Sequence, residues 1–242
     1  MFMFCLGAKA DPIAICIDNQ SHPPYFYLDK DGTMQILLKM SAAKIGLELA
    51  FHPVPAKRCL EEVRTGVSDA TGAVAITPLS QSVAVFPLRN GSIDSRRSVV
   101  VARSMVFRLK SGTVEWNGEQ FSKLTAPVLT QPGILLVSGK LLAMGIPFDD
   151  GGIGLSFNFS KLLAGRGEVA IGFEYDGVQL LAQPEFADKI DMLPTPFTET
   201  EYYLAFSKQY YEKNRAQAEH LWNSIERTRH TAEYLAAIKP LL

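Results

Sequence analysis

Residues 13–27 read IAICIDNQSHPPYFY, a short apolar run that stops at a polar turn and is followed by Pro23, Pro24, Tyr25 and Phe26. Ile13, Ile15 and Ile17 alternate with Ala14, Cys16 and Asp18, and β-branched residues in so short a run point to a buried strand. Asn19, Gln20 and Ser21 break it. Two prolines then fix φ and remove two backbone donors, which predicts a stiff, extended loop leaving the strand's carboxyl end. Tyr25 and Phe26 at its tip either form a platform for a ligand or cover the end of the strand.

The chain of 242 residues carries a formal charge of −1, with 47% hydrophobic and 20% charged residues. That composition fits a globular protein with a substantial core and excludes disordered and fibrous classes. Nothing in the charge balance supplies the basic face that nucleic acid requires, so no nucleic-acid partner is expected. No apolar run approaches the roughly 20 residues that a membrane-spanning helix needs.

Residues 1–10, MFMFCLGAKA, read either as the tail of a secretory signal ending in small residues or as a short apolar terminus. The first reading places the protein outside the cytoplasm, in the periplasm. Of three cysteines, Cys5 would leave with the signal. Cys16 and Cys59 would remain, either as a disulfide or as two buried thiols. Scattered histidines and the lack of a Cys-x-x-Cys pair argue against a metal, and no cofactor is expected.

From residue 29 the pattern is turn, helix (34–45), strand (47–53), helix (55–66) and strand (67–76), a β-α-β-α-β order that calls for a parallel sheet with right-handed crossovers. Pro78 predicts a turn, residues 98–102 a strand, and Trp116, Phe121 and Leu124 a short helical or loop segment. A second series follows: strand 126–130, the turn Gln131-Pro132-Gly133, helix 135–145, strand 146–148, helix 157–165, strand 169–173 and helix 175–183. Residues 190–197 read as a connection, 202–207 as a strand, and 210–238 as one amphipathic helix burying Ala218, Leu221, Trp222, Ile225, Leu235 and Ile238.

The order of HPPYFY, DGT, KIGLEL, PAKRCLEEVRTGVSDA, AITP, SVVVA, LLAGRGEVAIG and YYLAFSK resembles the type 2 periplasmic solute-binding proteins, in particular the family 3 group with the amino-acid receptors of ABC importers. The resemblance spans nearly the whole chain from Asp11. It implies an α/β fold of two lobes, each a mostly parallel sheet flanked by helices. Lobe 1 would be residues 11–99 and 197–242, lobe 2 residues 104–190, with crossings at 100–103 and 191–196. It further implies a monomeric receptor that captures a small polar or aromatic solute by hinge closure, partnered by an ABC permease or a sensor.

On that resemblance Tyr25 corresponds to the aromatic that stacks on ligand, Thr77 to the threonine after strand three, and Glu174 and Tyr175 to the second-lobe strand end. Gln131, at the helix start, and Asn158 join them as ligand-binding candidates. Two departures bear on the solute. Ser80 stands where such receptors carry an arginine that pairs the ligand carboxylate, and Phe173 where they carry an aspartate for the amine. A hydroxyl does not replace a bidentate guanidinium, so a standard α-amino acid is not the expected ligand. Arg58 either supplies the missing positive charge or is a solvated helix-start residue.

The rival reading is an enzyme on the same scaffold, a dehydratase of cyclic acids with Glu174 as general base. The sequence has no G-x-S-x-G, and no histidine sits where the sequence pairs it with a serine or cysteine. The acidic stretch Asp149-Asp150-Gly151-Gly152 lacks the alternating oxygens of a calcium loop.

Overall fold

The computed structural model describes residues 11–132 and 134–242. The leader expected at 1–10 lies outside these residues, as does Gly133 of the expected turn. Backbone contacts divide the chain into two units, one running to Val101 and including Glu201–Leu242, the other Ala102–Thr200.

Ile13, Ile15 and Ile17 are buried on strand β1 (Ile13–Asp18), as the alternation predicts. The first unit continues with α1 (Thr33–Ala43), β2 (Leu49–Val54), α2 (Ala56–Thr65), β3 (Ala70–Ala75), α3 (Pro78–Val83) and β4 (Ala84–Val85). A small hairpin, β5 (Leu88–Arg89) and β6 (Ser92–Ile93), follows. Strand β7 (Val100–Leu109) then carries the chain out of this unit. β1 pairs in parallel with β2 on one side (Ile13 opposite Leu49) and with β3 on the other (Ile15 opposite Ala70).

In the second unit the elements are β8 (Glu115–Trp116), β9 (Phe121–Ser122), β10 (Val128–Leu129), α4 (Leu135–Ala143), β11 (Phe148–Asp149), α5 (Leu155–Leu163), β12 (Val169–Phe173), α6 (Glu174–Leu181) and β13 (Ile190–Met192). β10 pairs in parallel with β11 and β12, while β12 and β13 run antiparallel to β7. Strand β14 (Thr198–Ser207) returns the chain, and α7 (Lys208–Thr228) and α8 (Ala232–Ile238) close the first unit. The returning half of β14 lies antiparallel to β3, with Phe206 opposite Ala70.

Four expectations are corrected. Pro78 begins a helix, not a turn, because it occupies the first helical position, where its missing N–H is unneeded and Thr77 caps the end. The segment around Trp116 and Phe121 is a two-stranded hairpin, with Trp116 opposite Phe121. Residues 190–192 form a strand on β7, although the stretch reads as a connection. The C-terminal helix is two helices, for Thr231 accepts a hydrogen bond from the Tyr234 N–H and starts a second one. Leu235 is accordingly exposed, while Ala218, Leu221, Trp222 and Ile225 are fully buried.

Cys16 of β1 and Cys59 of α2 form a disulfide with Cα atoms 5.5 Å apart. Both lie in a core with Val63, Phe86 and Tyr203. On the other face Phe206 meets Trp222, whose indole N–H donates to the Leu204 carbonyl (2.8 Å). In the second unit Trp116, Phe121 and Phe197 cluster, and the Lys140 ammonium sits 4.8 and 4.7 Å from the Trp116 and Phe197 ring centroids. It donates to the Phe197 carbonyl at 2.8 Å, and burial pushes its pKa down.

Replacing both Cys16 and Cys59 by serine opens a loop of 43 residues. By chain entropy alone, that lowers unfolding free energy by about 4 kcal/mol, measured by urea denaturation. Lys140→Met keeps the length of the side chain but removes the cation and the donor. We expect a loss of about 1–3 kcal/mol in the same assay.

Candidate ligand site

In parallel sheets ligands lie beyond the carboxyl ends of the strands, so the loops that leave those ends are the place to look. After β1 the chain does not run extended as its prolines suggest. His22 N–H donates to the Phe26 carbonyl and Tyr25 N–H to the His22 carbonyl, both at 2.9 Å, folding residues 22–26 into a tight turn with a cis Pro23–Pro24 bond. Phe26 is buried and Tyr25 half-buried. The Tyr25 hydroxyl donates to the carbonyl of Val101 (3.2 Å).

After β3, Thr77 and Ser80 are neighbours. Thr77 Oγ1 accepts from the Ser80 N–H (3.1 Å), and Ser80 Oγ accepts from the Thr77 N–H (2.9 Å) while donating to the Ala75 carbonyl (2.8 Å). This reciprocal cap satisfies the start of α3. Ser80 is 1% exposed, so its hydroxyl belongs to the cap.

Arg58 stands apart from this pair. Its side chain is 70% exposed and its Nε donates to Glu62 Oε1 (3.0 Å), one turn along α2. Glu62 also gathers His52, with Nε2 2.9 Å away, and Ser68, whose hydroxyl donates to Oε2 at 2.9 Å. The fold thus brings a serine against a histidine where the sequence shows no such pairing. It is no nucleophilic triad. One nitrogen of His52 faces both Glu62 and Ser68, and Ser68 is fully buried.

In the second unit, Asn158 is fully buried, and its Nδ2 donates to the Thr130 carbonyl (2.8 Å) at the exit of β10. A Cβ on Gly152 would stand 2.2 Å from its Oδ1, so Asn158 braces the loop before α5 from inside. Gln131 next to Thr130 is half-buried.

Phe173, the last residue of β12, is 41% exposed and is followed by Glu174, Tyr175 and Asp176 in the first turn of α6. Arg103 Nη1 lies 3.7 Å from Glu174, and Arg103 Nε donates to Glu199 (2.6 Å). Asp176 was missed by the sequence reading, and burial pushes its carboxyl up. Among the described residues, no group of three or more His, Cys, Asp or Glu is gathered as for a metal, and no helix is long and apolar enough to cross a membrane.

The fold matches solved structures over almost its whole length. YckB of Bacillus subtilis superposes with a TM-score of 0.69 at 14% identity, covering 95% of this chain and 89% of that one. Substrate-binding domain 2 of Lactococcus lactis GlnP, in its open conformation, gives 0.67 at 18% identity, covering 97% and 96%. The chain has the type 2 fold of two-lobed periplasmic binding proteins. The GluR0 ligand-binding core of Nostoc punctiforme, solved with L-glutamate, shares this fold with a TM-score of 0.59 at 12% identity, covering 95% and 97%. No family model and no curated protein matches the sequence.

The His52 hydrogen bond, then those from Ser68 and Arg58, outweigh burial and hold the Glu62 carboxyl below the usual carboxylate range. A carboxyl depressed on folding stabilises the protein above its unfolded pKa, and that contribution is lost as pH falls through the folded value. Glu62→Gln should therefore destabilise at neutral pH and flatten the loss of stability below pH 4.5, as read from melting temperatures across an acid series.

Proposed function

We propose that the chain is a secreted solute-binding receptor, working as a monomer in the periplasm and handing its solute to an ABC permease or a sensor. What carries this is the placement of aromatic residues at strand carboxyl ends, Tyr25 in the turn after β1, Phe173 as the last residue of β12 and Tyr175 in the first turn of α6, in a fold shared with solute-binding domains. Binding would work by hinge closure about the two passages in β7 and β14, with solute shifting the population towards the closed form.

Thr77, Gln131 and Glu174 complete the proposed set of contacts. Asn158 and Ser80 act by bracing and capping, while Arg58 is held by Glu62. The absence of a guanidinium at Ser80, together with Phe173 at the end of β12, favours a polar or aromatic solute other than a standard α-amino acid. Glu174 lies 3.7 Å from the Arg103 guanidinium, an ion pair that engages the carboxylate the rival enzymatic reading would use as its base.

Calorimetry against a panel of standard amino acids, aromatic and hydroxylated carboxylic acids and polyamines tests this reading. We expect one class outside the standard amino acids to saturate with compaction in small-angle scattering, and Tyr25→Ala to weaken binding at least tenfold, about 1.4 kcal/mol. A panel without any saturable member and without compaction overturns it.

A further inference from the structure

The turn that carries Tyr25 is fixed from the buried start of α1. The Pro24 and Tyr25 carbonyls accept from the Thr33 and Met34 N–H groups at 2.9 and 2.8 Å, which lays the turn across the first residues of the helix. Gln35 is 6% exposed and lies at the third position of that helix. Its Oε1 accepts from the Gly32 N–H (2.8 Å) and from the Tyr27 N–H (3.2 Å), and its Nε2 donates to the Tyr27 carbonyl (3.1 Å).

One side-chain amide therefore caps α1 and pairs both backbone polar groups of Tyr27, as a neighbouring strand would. Both lone pairs of Oε1 are engaged. Gly32 is part of the same device, since a Cβ there would sit 2.4 Å from the Tyr25 carbonyl oxygen.

We propose that Gln35 is the positioning residue of the solute site, setting the conformation of residues 25–27 and through it the affinity for solute, without touching the solute itself. This rests on the reading of Tyr25 as a ligand contact. A residue that only capped α1 would need its bond to Gly32. The two bonds to Tyr27 are what a helix cap does not require.

Two variants separate these roles. Gln35→Met keeps the length of the side chain and removes all three bonds. Gln35→Glu can still cap Gly32, but at neutral pH it sets a carboxylate oxygen against the Tyr27 carbonyl, a repulsion that drives the side chain off Tyr27 and, with burial, raises the pKa of the introduced carboxyl. Protonation of the introduced carboxyl restores the donor.

Amide hydrogen exchange on the full chain, expressed as protection factors between pH 7 and pH 5, reads the difference. Wild type serves as control for the Asp18–His22 and Asp31–Lys39 pairs and for Lys30 over the Tyr27 ring.

We expect Gln35→Met to lose at least tenfold protection at Tyr27 and Gly32 at both pH values, with β1 to β3 unchanged. Gln35→Glu should lose it at Tyr27 at pH 7 and recover it at pH 5. The affinity for whichever member of the calorimetric panel binds wild type should follow the same pH recovery. Unchanged protection in Gln35→Met, loss without recovery in Gln35→Glu, or wild-type affinity in a variant that has lost protection at Tyr27 overturns the proposal. Should Gln35→Met not fold, the recovery in Gln35→Glu decides. If no panel member binds wild type, the receptor reading fails, and the exchange result still judges Gln35 by itself.

Discussion

Parallel pairing of β1 between β2 and β3 is the constraint on which the first unit depends. Strands that share a direction also share an edge at which they end. The exits of β1, β2 and β3 therefore lie side by side, and the turn with Tyr25, the start of α2 and the capped start of α3 issue from them. Three parallel strands do the same in the second unit, where β10, β11 and β12 deliver Thr130, Asp150 and Glu174. What the side chains at these exits do is then decided by which of them the backbone itself requires. Ser80 and Asn158 are consumed by it, whereas Phe173 is left exposed.

Much of this was legible. Alternation in residues 13–17 marks β1, and five apolar or small residues at 169–173 mark β12. The two-residue strands β8 and β9 are too short to carry any period, so Trp116 and Phe121 gave no sign of pairing. No glycine or proline interrupts residues 226–231, which concealed the break between α7 and α8, though Thr231 is an ordinary cap residue. The site was less readable, because roles there depend on partners distant in sequence. Arg103 and Glu199 are 96 positions apart. Two local signals were nonetheless present: Thr77 three residues before Ser80, and Gly32 three before Gln35, both at capping-box spacing.

Charge is used in this fold mainly to fasten loops. Asp94, 5% exposed, is hemmed by Arg89 and Arg96 at 2.7 and 2.9 Å. Burial opposes its ionisation, yet hydrogen bonds from Arg96 and Arg89 keep its carboxyl below the usual range. Arg97 next to them reaches Glu219 and Asn223 of α7, and Arg89 reaches Glu226, so the hairpin of β5 and β6 is tied to the long helix by ionic contacts. Such buried ions tolerate the loss of a partner poorly, since the charge left behind has no water to replace it.

The two tryptophans fall one to each unit. Trp116 sits among the aromatic residues near Lys140, and Trp222 lies under Phe206, both shielded from solvent. Each indole is therefore a natural optical reporter of the body that contains it. With one of them replaced by phenylalanine, the emission of the other follows the melting of a single half, and two non-coincident curves would reveal that the halves lose their structure in separate steps.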